Sequence, residues 1–358
     1  MAKLLRKVAS SWNLDDSAKR DKRDTYVKGL YELWEQVSTR KDPYLTLSPS
    51  DLPRIKCVDL LGESTFHEES SVPGFFRKMT HKKLRDYPIN ENNEETMGWH
   101  RRSKAFWSQT EKIYQGLRPI KQAAMMCGAM RLAFNAYKRT TSDGRQVTLR
   151  QVSGWKEADF ADEIFHSLFD DEVLHSKHWY ARDAWQSGKP QKQPHVMLTL
   201  AHEYEGNDSS LLCGEILAIL ATMLTRLESD FFKDHNIIPV MVLSFMADLK
   251  GRVLQAYFAD DGLVIYKSRI FSFKEEAGEK SAELFLGYMG SEMIGATAVK
   301  RLHHSIPGDE ATAVTEVSPA PAVQGASSTP AVQEVHLACP VVQDASSTPA
   351  VQDSSSLP

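Results

Sequence analysis

Residues 195–246 read HVMLTLAHEYEGNDSSLLCGEILAILATMLTRLESDFFKDHNIIPVMVLSFM. The stretch holds three predicted elements. Residues 195–205 alternate like a strand and end in charged side chains. Residues 209–229 carry Leu, Ile and Met on nearly all sides, which predicts a buried helix. Residues 237–246 form a continuous apolar run, as in a central strand covered on both faces.

Outward from this core, RVLQAYF (252–258) and LVIYKSRIF (263–271) are joined through Ala259-Asp260-Asp261-Gly262, and the Asp-Gly step predicts a hairpin. A last helix is predicted over about 273–289. Upstream, 177–186 reads as a further strand. WKEADFADEIFHSLFDD (155–171) reads as an amphipathic helix with Phe160, Ile164, Phe165 and Leu168 on one face. The order predicts a mixed α/β (α+β) fold, a mixed sheet flanked by helices.

The first 150 residues are expected to be mainly helical. Residues 1–13 suit a short basic helix, and Tyr26, Leu30, Leu33 and Trp34 share one face of a helix over 17–38. A long helical pattern covers 103–138 and should kink or split at Pro119. Residues 151–306 form the expected α/β domain. Residues 307–358 repeat ASSTPAVQ at 326–333 and 345–352 among Pro, Ser, Ala and Val, a composition expected to stay disordered.

Composition excludes several classes. The chain has 358 residues and a net charge of −4. No Lys or Arg follows Arg301, and the six acids of 309–358 leave 43 basic against 41 acidic residues in the rest. There is no global charge argument for nucleic acid. Cys57, Cys127, Cys213 and Cys339 are far apart, without a C-x-x-C pair for structural zinc. The N-terminus lacks a signal-peptide core. No apolar run approaches the roughly 20 residues of a membrane helix. An intracellular protein, cytoplasmic or nuclear, with no membrane span is expected. The G-x-G-x-x-G, G-x-x-x-x-G-K-[ST] and G-x-S-x-G motifs are absent.

The chemistry most open to such a sequence sits at His202-Glu203-Tyr204-Glu205-Gly206. If the strand runs through 205, Glu203 and Glu205 share a face about 6–7 Å apart. Two such carboxylates can approach a hard divalent cation, directly or through water. A metal-bound water is then a nucleophile for a phosphodiester.

This order of helix, strands, acidic strand end, helix and apolar strand resembles the PD-(D/E)XK nuclease superfamily over about 155–250. The resemblance implies a restriction-endonuclease-like core and cleavage of nucleic acid with Mg²⁺ or Mn²⁺. It assigns Glu203-Tyr204-Glu205 to the Glu-x-Lys place, and Asp183, 20 positions upstream of Glu203, to the Asp. Glu163 matches an extra helix acid. Asp183 and Glu203 would bind the metal, Glu205 would act as base or hold the water, and Glu163 would assist. Glu205 stands where the superfamily has Lys, a change seen in some active members and in many inactive descendants. The same implication therefore covers a degenerate, inactive relative. The stretches H-E-Y-E-G, L-L-C-G-E-I-L and I-I-P-V-M-V-L-S-F-M are also similar to a family of fungal proteins without an assigned activity.

Structural explanations compete with these. A Glu215 facing the core calls for a partner such as Arg252. His166, Asp170, Asp171, Glu172, His175 and His178 have ligand chemistry, but their spacing fits a helix end with a polar loop better than a metal site. Arg77, Lys78, Lys82, Lys83 and Arg85 lie beside Phe75 and Phe76. His100, Arg101, Arg102 and Lys104 lie among Trp99, Phe106 and Trp107. Such sets can hold phosphates and stack bases, or can be solvated faces over buried aromatics. The alternative function is a non-catalytic interaction protein on the same fold, with a protein partner.

Overall fold

The computed structural model describes residues 17–46, 52–60, 74–161 and 163–298. The basic N-terminal helix expected over 1–13 and the tail 307–358 lie outside these residues.

In chain order, α1 (Ser17–Ser38) is followed by β1 (Tyr44–Thr46), β2 (Ile55–Asp59) and β3 (Phe76–Arg77). Helices α2 (His81–Arg85), α3 (Glu94–Ser108), α4 (Thr110–Tyr114) and α5 (Pro119–Asn135) come next. A small hairpin, β4 (Arg139–Thr140) and β5 (Gln146–Val147), leads to α6 (Leu149–Ser153), β6 (Trp155–Glu157) and α7 (Asp170–Val173). The core follows with β7 (Trp179–Ser187), β8 (Val196–His202), β9 (Ser210–Leu212), α8 (Cys213–Glu228) and β10 (Val240–Met246). The last described elements are β11 (Lys250–Ala259), β12 (Gly262–Lys267), β13 (Phe271–Ser272), α9 (Glu275–Met289) and β14 (Glu292–Met293).

One eight-stranded sheet runs β2-β12-β11-β10-β8-β7-β6, with β13 on β11. Strands β8 and β10 are parallel, Val196 level with Val240, and α8 makes the crossover between them. The β6-β7-β8 and β10-β11-β12 neighbours are antiparallel. The mixed sheet expected from the sequence is therefore present. Both its faces are covered. Val196, Leu198, Leu200, Val240 and Val242 pack with α8 and with Leu30, Leu33 and Trp34 of α1. On the other face, Met197, Ala201, Met241, Leu243 and Phe245 pack with Cys127 and Met130 of α5 and Phe285 of α9. Lying between sheet and α1, α8 buries every residue from Gly214 to Leu227, which is why its sequence is apolar all round.

Pro119 starts α5 at its first turn, where its missing N–H costs nothing. The hairpin forms with Ala259 opposite Gly262. Gly262 has φ +117°, and a Cβ there would come 2.2 Å from the Arg54 carbonyl, so only glycine fits.

Three expectations need correction. The amphipathic helix over 155–171 does not form. Thr148 and Gln151 cap α6 reciprocally, Gly154 ends it in the left-handed conformation, and Trp155–Glu157 then pairs with β7. Phe160, Ile164 and Phe165 still reach the core through a loop, but Leu168 is 56% exposed. The strand at 195–205 stops at His202, so the rule placing Glu203 and Glu205 on one strand face does not apply. The boundary at 150 does not break the fold. Strand β2 extends the central sheet along β12, and α5 covers one of its faces.

Candidate functional site

The four acids singled out by the sequence occupy separate environments. Asp183 lies on β7 level with Thr199 of β8, on the face covered by α5. Thr199 donates to its Oδ2 at 2.9 Å, and Nε of Arg131, from α5, lies 3.4 Å from Oδ1. The side chain is 8% exposed. Burial pushes its carboxyl above the ordinary range, and Thr199 and the guanidinium groups of Arg182 and Arg131 offset only part of that. Arg131 also binds Glu157 of β6 at 3.0 Å, and Asn135 donates to the same carboxylate oxygen at 2.7 Å. Arg131 thus stands between two carboxylates, where a cation would be.

Glu163 is on the other face. It accepts from Gln186 at 2.7 Å, and Gln186 shares the Ala184 face, which α8 covers. Gln186 is level with Val196, at the opposite end of β8 from the acidic motif.

Glu203 lies just beyond β8. Thr199, the residue facing Asp183, is four positions earlier, about 13 Å along the chain at strand rise. Arg118, at the N-terminus of α5, donates to Glu203 at 2.9 Å, and His178 Nδ1 lies 2.7 Å from its other oxygen. Arg118 and then His178 hold this carboxyl below its ordinary range. Glu205 pairs instead with Lys250, at the start of β11. The structure therefore brings Glu203 to Arg118 and His178, Asp183 to Arg131 and Thr199, and no two of the four acids to each other. Among the described residues, no group of three or more His, Cys, Asp or Glu could hold a metal ion. The anticipated Mg²⁺ or Mn²⁺ does not fit these donors.

Thr199, Arg131, Glu157 and Arg118 were not singled out by the sequence. Arg131, a charge in the apolar second half of the 119–135 pattern, was an available signal. A surface depression of about 240 Å³ lies near the end of β10, lined by Tyr114, Gln115, Gly116, Gln122, Asp248, Leu249 and Lys274. None of the four acids lines it.

The histidine-rich segment resolves into structural roles. His166 Nδ1 accepts from the Leu168 amide at 3.2 Å, while His178 orients on Glu203. The expected core pair is formed: Arg252 Nε donates to Glu215 at 2.8 Å, and both side chains are fully buried. Beside this pair, His202 stacks on Trp179 with centroids 6.1 Å apart. Burial pushes the His202 pKa down to about 4.

In the basic–aromatic segments Arg77, Lys82, Lys83, Arg85, Arg101, Arg102 and Lys104 are exposed, Lys78 lies over the Tyr288 ring, and the aromatic rings pack on other rings. Phe76 stacks on Trp155 at 6.3 Å, Trp99 on Tyr137 at 6.5 Å, and Phe106 meets Trp107 edge-on at 4.7 Å. Among the described residues, no helix is long and apolar enough to cross a membrane.

Compared with known proteins, the chain matches no family model, no curated protein and no solved structure.

Proposed function

We propose that this chain is a catalytically silent relative of the restriction-endonuclease-like core, acting by binding rather than by phosphodiester cleavage. The order β6-β7-β8, then α8, then β10 parallel to β8 supports the architectural part of the reading. One observation carries the functional part. The position facing Asp183 on the next strand is Thr199, and the same-face residue two further on is Ala201. A metal-dependent nuclease of this type needs a second acid and a cation at those places, and Arg131 lies against Asp183 instead. A guanidinium neutralises a carboxylate but cannot polarise a bound water as a divalent ion does.

The test is incubation of the full chain with single- and double-stranded DNA and RNA in Mg²⁺ or Mn²⁺, alongside Asp183→Asn and Glu203→Ala. The expected result is no cleavage that distinguishes the three proteins. Cleavage abolished by EDTA and by either substitution would overturn the reading and return the strand-end acids to catalysis.

A further inference from the structure

We infer that the depression at the carboxyl end of β10 binds a small zwitterion of the α-amino-acid type, its carboxylate on Lys274 and its ammonium on Asp248. The inference goes beyond the proposed function and does not rest on it, because none of the four acids weighed for catalysis lines the depression.

The fold sets the position. Strands β8 and β10 are parallel and joined by α8. In such α/β units ligands gather outside the carboxyl ends of the strands. Residues 247–249 follow β10 and pack against α5. Among the lining residues Tyr114 and Leu249 are buried, whereas Gln115, Gly116 and Asp248 are exposed. The hollow of about 240 Å³ thus has an apolar floor and a polar rim. It is smaller than the pockets that take drug-sized ligands. The backbone of the rim is unusual. Asp248, Leu249 and Glu275 have φ of 61°, 54° and 46°, and they are the non-glycine residues with positive φ among the described residues. The first two line the depression, and the third adjoins Lys274, which also lines it. The Phe273 amide donates to the Leu249 carbonyl at 2.7 Å and ties the two segments together. Side chains persist in that conformation only where the surroundings hold them, and such positions gather at ligand sites.

The charges select the ligand. Nζ of Lys274 lies 2.5 Å from Oδ1 of Asp248, and Nζ of Lys250 lies 3.2 Å from Oδ2. Partial burial would raise the Asp248 carboxyl, yet the two lysines hold it below its ordinary range, so it is ionised at neutral pH. The lining therefore presents one carboxylate and one ammonium side by side. An inorganic anion would meet Asp248, and a simple cation would meet Lys274. An α-amino acid carries both charged groups on one carbon and can pair with each residue at once. The surroundings favour neither sign. Glu205 pairs with Lys250 and Glu203 with Arg118, Lys112 and Lys121 flank the lining segment in sequence, and Glu275 and Glu276 follow Lys274. Gln122 adds a fixed acceptor. Its Nε2 donates to the carbonyls of Tyr114 and Leu117 at 3.1 and 3.0 Å, which leaves Oε1 to accept from an ammonium.

Isothermal titration calorimetry of the full chain with each of the common L-amino acids tests this, with inorganic phosphate and putrescine as comparison probes. At least one amino acid is expected to bind saturably with a Kd below about 1 mM. Its N-acetyl derivative lacks the ammonium and its carboxamide lacks the carboxylate, and each should bind about tenfold or more weakly. Asp248→Asn, which a left-handed backbone accommodates, and Lys274→Met should each weaken binding about tenfold. Lys192→Ala, exposed elsewhere, should leave it unchanged. Melting curves confirm that the variants are folded, and the two derivatives decide the matter on the unaltered chain. No binding by any amino acid, tighter binding of phosphate or putrescine, affinity indifferent to either capped charge, or affinity unaffected by both substitutions would each overturn the inference. Cleavage in the nuclease assay would refute the silent-site reading and leave this one intact.

Discussion

Removing one partner of the Glu215–Arg252 pair should be among the most damaging single changes in the core. Arg252 enters from β11 and Glu215 from the first turn of α8, so the pair ties the crossover helix to the sheet. Arg252 donates twice to Glu215 and, through Nη1, to the carbonyls of Asn207 at 3.0 Å and Ser210 at 2.7 Å. Glu215 also accepts from the Leu212 amide at 2.8 Å. In Arg252→Met the carboxylate keeps only that last bond and stays buried as an uncompensated charge. Such losses cost about 3–5 kcal/mol. Because two backbone carbonyls lose their donor as well, a value near the middle, about 4 kcal/mol, is expected.

At roughly 2–4 °C per kcal/mol for a domain of this size, melting should fall by about 8–16 °C. Glu215→Gln should cost nearly as much, since it strands the guanidinium. The double variant should cost less than the sum by at least about 2 kcal/mol, because each change removes the other's unpaired charge. Urea unfolding of the four proteins provides the cycle. Burial alone would raise the Glu215 carboxyl, yet Arg252 holds it below the ordinary value. A carboxyl depressed in the folded state contributes stability that is whole above its unfolded pKa and is lost as pH falls through the folded one. Glu215→Gln should therefore flatten the acid limb of the stability profile. Single-variant costs below about 1 kcal/mol, or strict additivity, would refute this account of the pair.

Two further outcomes follow from buried polar side chains. His202 has its pKa pushed from 6.5 down to about 4, so the unfolded chain binds more protons between those values, and stability should rise with pH across that window and be lost as pH drops through it. His202→Phe keeps the stack on Trp179 and should reduce that slope. His195 is depressed by burial to the same degree, so about half the combined slope should remain, and an unchanged slope would refute the assignment. Arg23 of α1 donates to the carbonyls of Phe232 and Ser229, each at 2.9 Å, and to Leu227, closing the C-terminal end of α8. Arg23→Ala should cost about 2–3 kcal/mol, and Arg23→Lys should restore only part, since one ammonium cannot reproduce a planar fork. Urea unfolding that places Lys level with Arg would show that charge alone suffices.

Most of the core was legible because its elements announce themselves through burial. A helix apolar all round and a continuous apolar strand have few places to go except the middle of a covered sheet, and α8 and β10 are there. The turn at Asp260-Asp261-Gly262 was legible because glycine's conformational freedom is local chemistry. The segment at 155–171 misled for the converse reason. Its apolar spacing satisfies a helix, but Trp155–Glu157 gains a strand partner in Trp185–Ser187, a contact invisible from local pattern. The role of β2 was hidden similarly. IKCVD is short and half exposed, and only its parallel pairing with β12 makes it part of the sheet.

The site was less legible than the fold because site chemistry depends on which charges meet, and spacing along one strand decides little of that. Glu203 and Glu205 stand two residues apart, yet once β8 ends at His202 each turns to a different cation, Arg118 from α5 and Lys250 from β11. Asp183 has no second acid across from it because the register sets Thr199 there. Four carboxylates with four different partners are what electrostatics favours when no divalent ion draws them together. Assembling them at one point would set like charges a few ångströms apart, at a cost only a bound cation could offset. Every one of the four is instead satisfied by a group that the fold supplies: Gln186 for Glu163, Arg131 and Thr199 for Asp183, Arg118 and His178 for Glu203, Lys250 for Glu205. A sheet arranged this way can hold its shape without metal, which the proposed non-catalytic role requires.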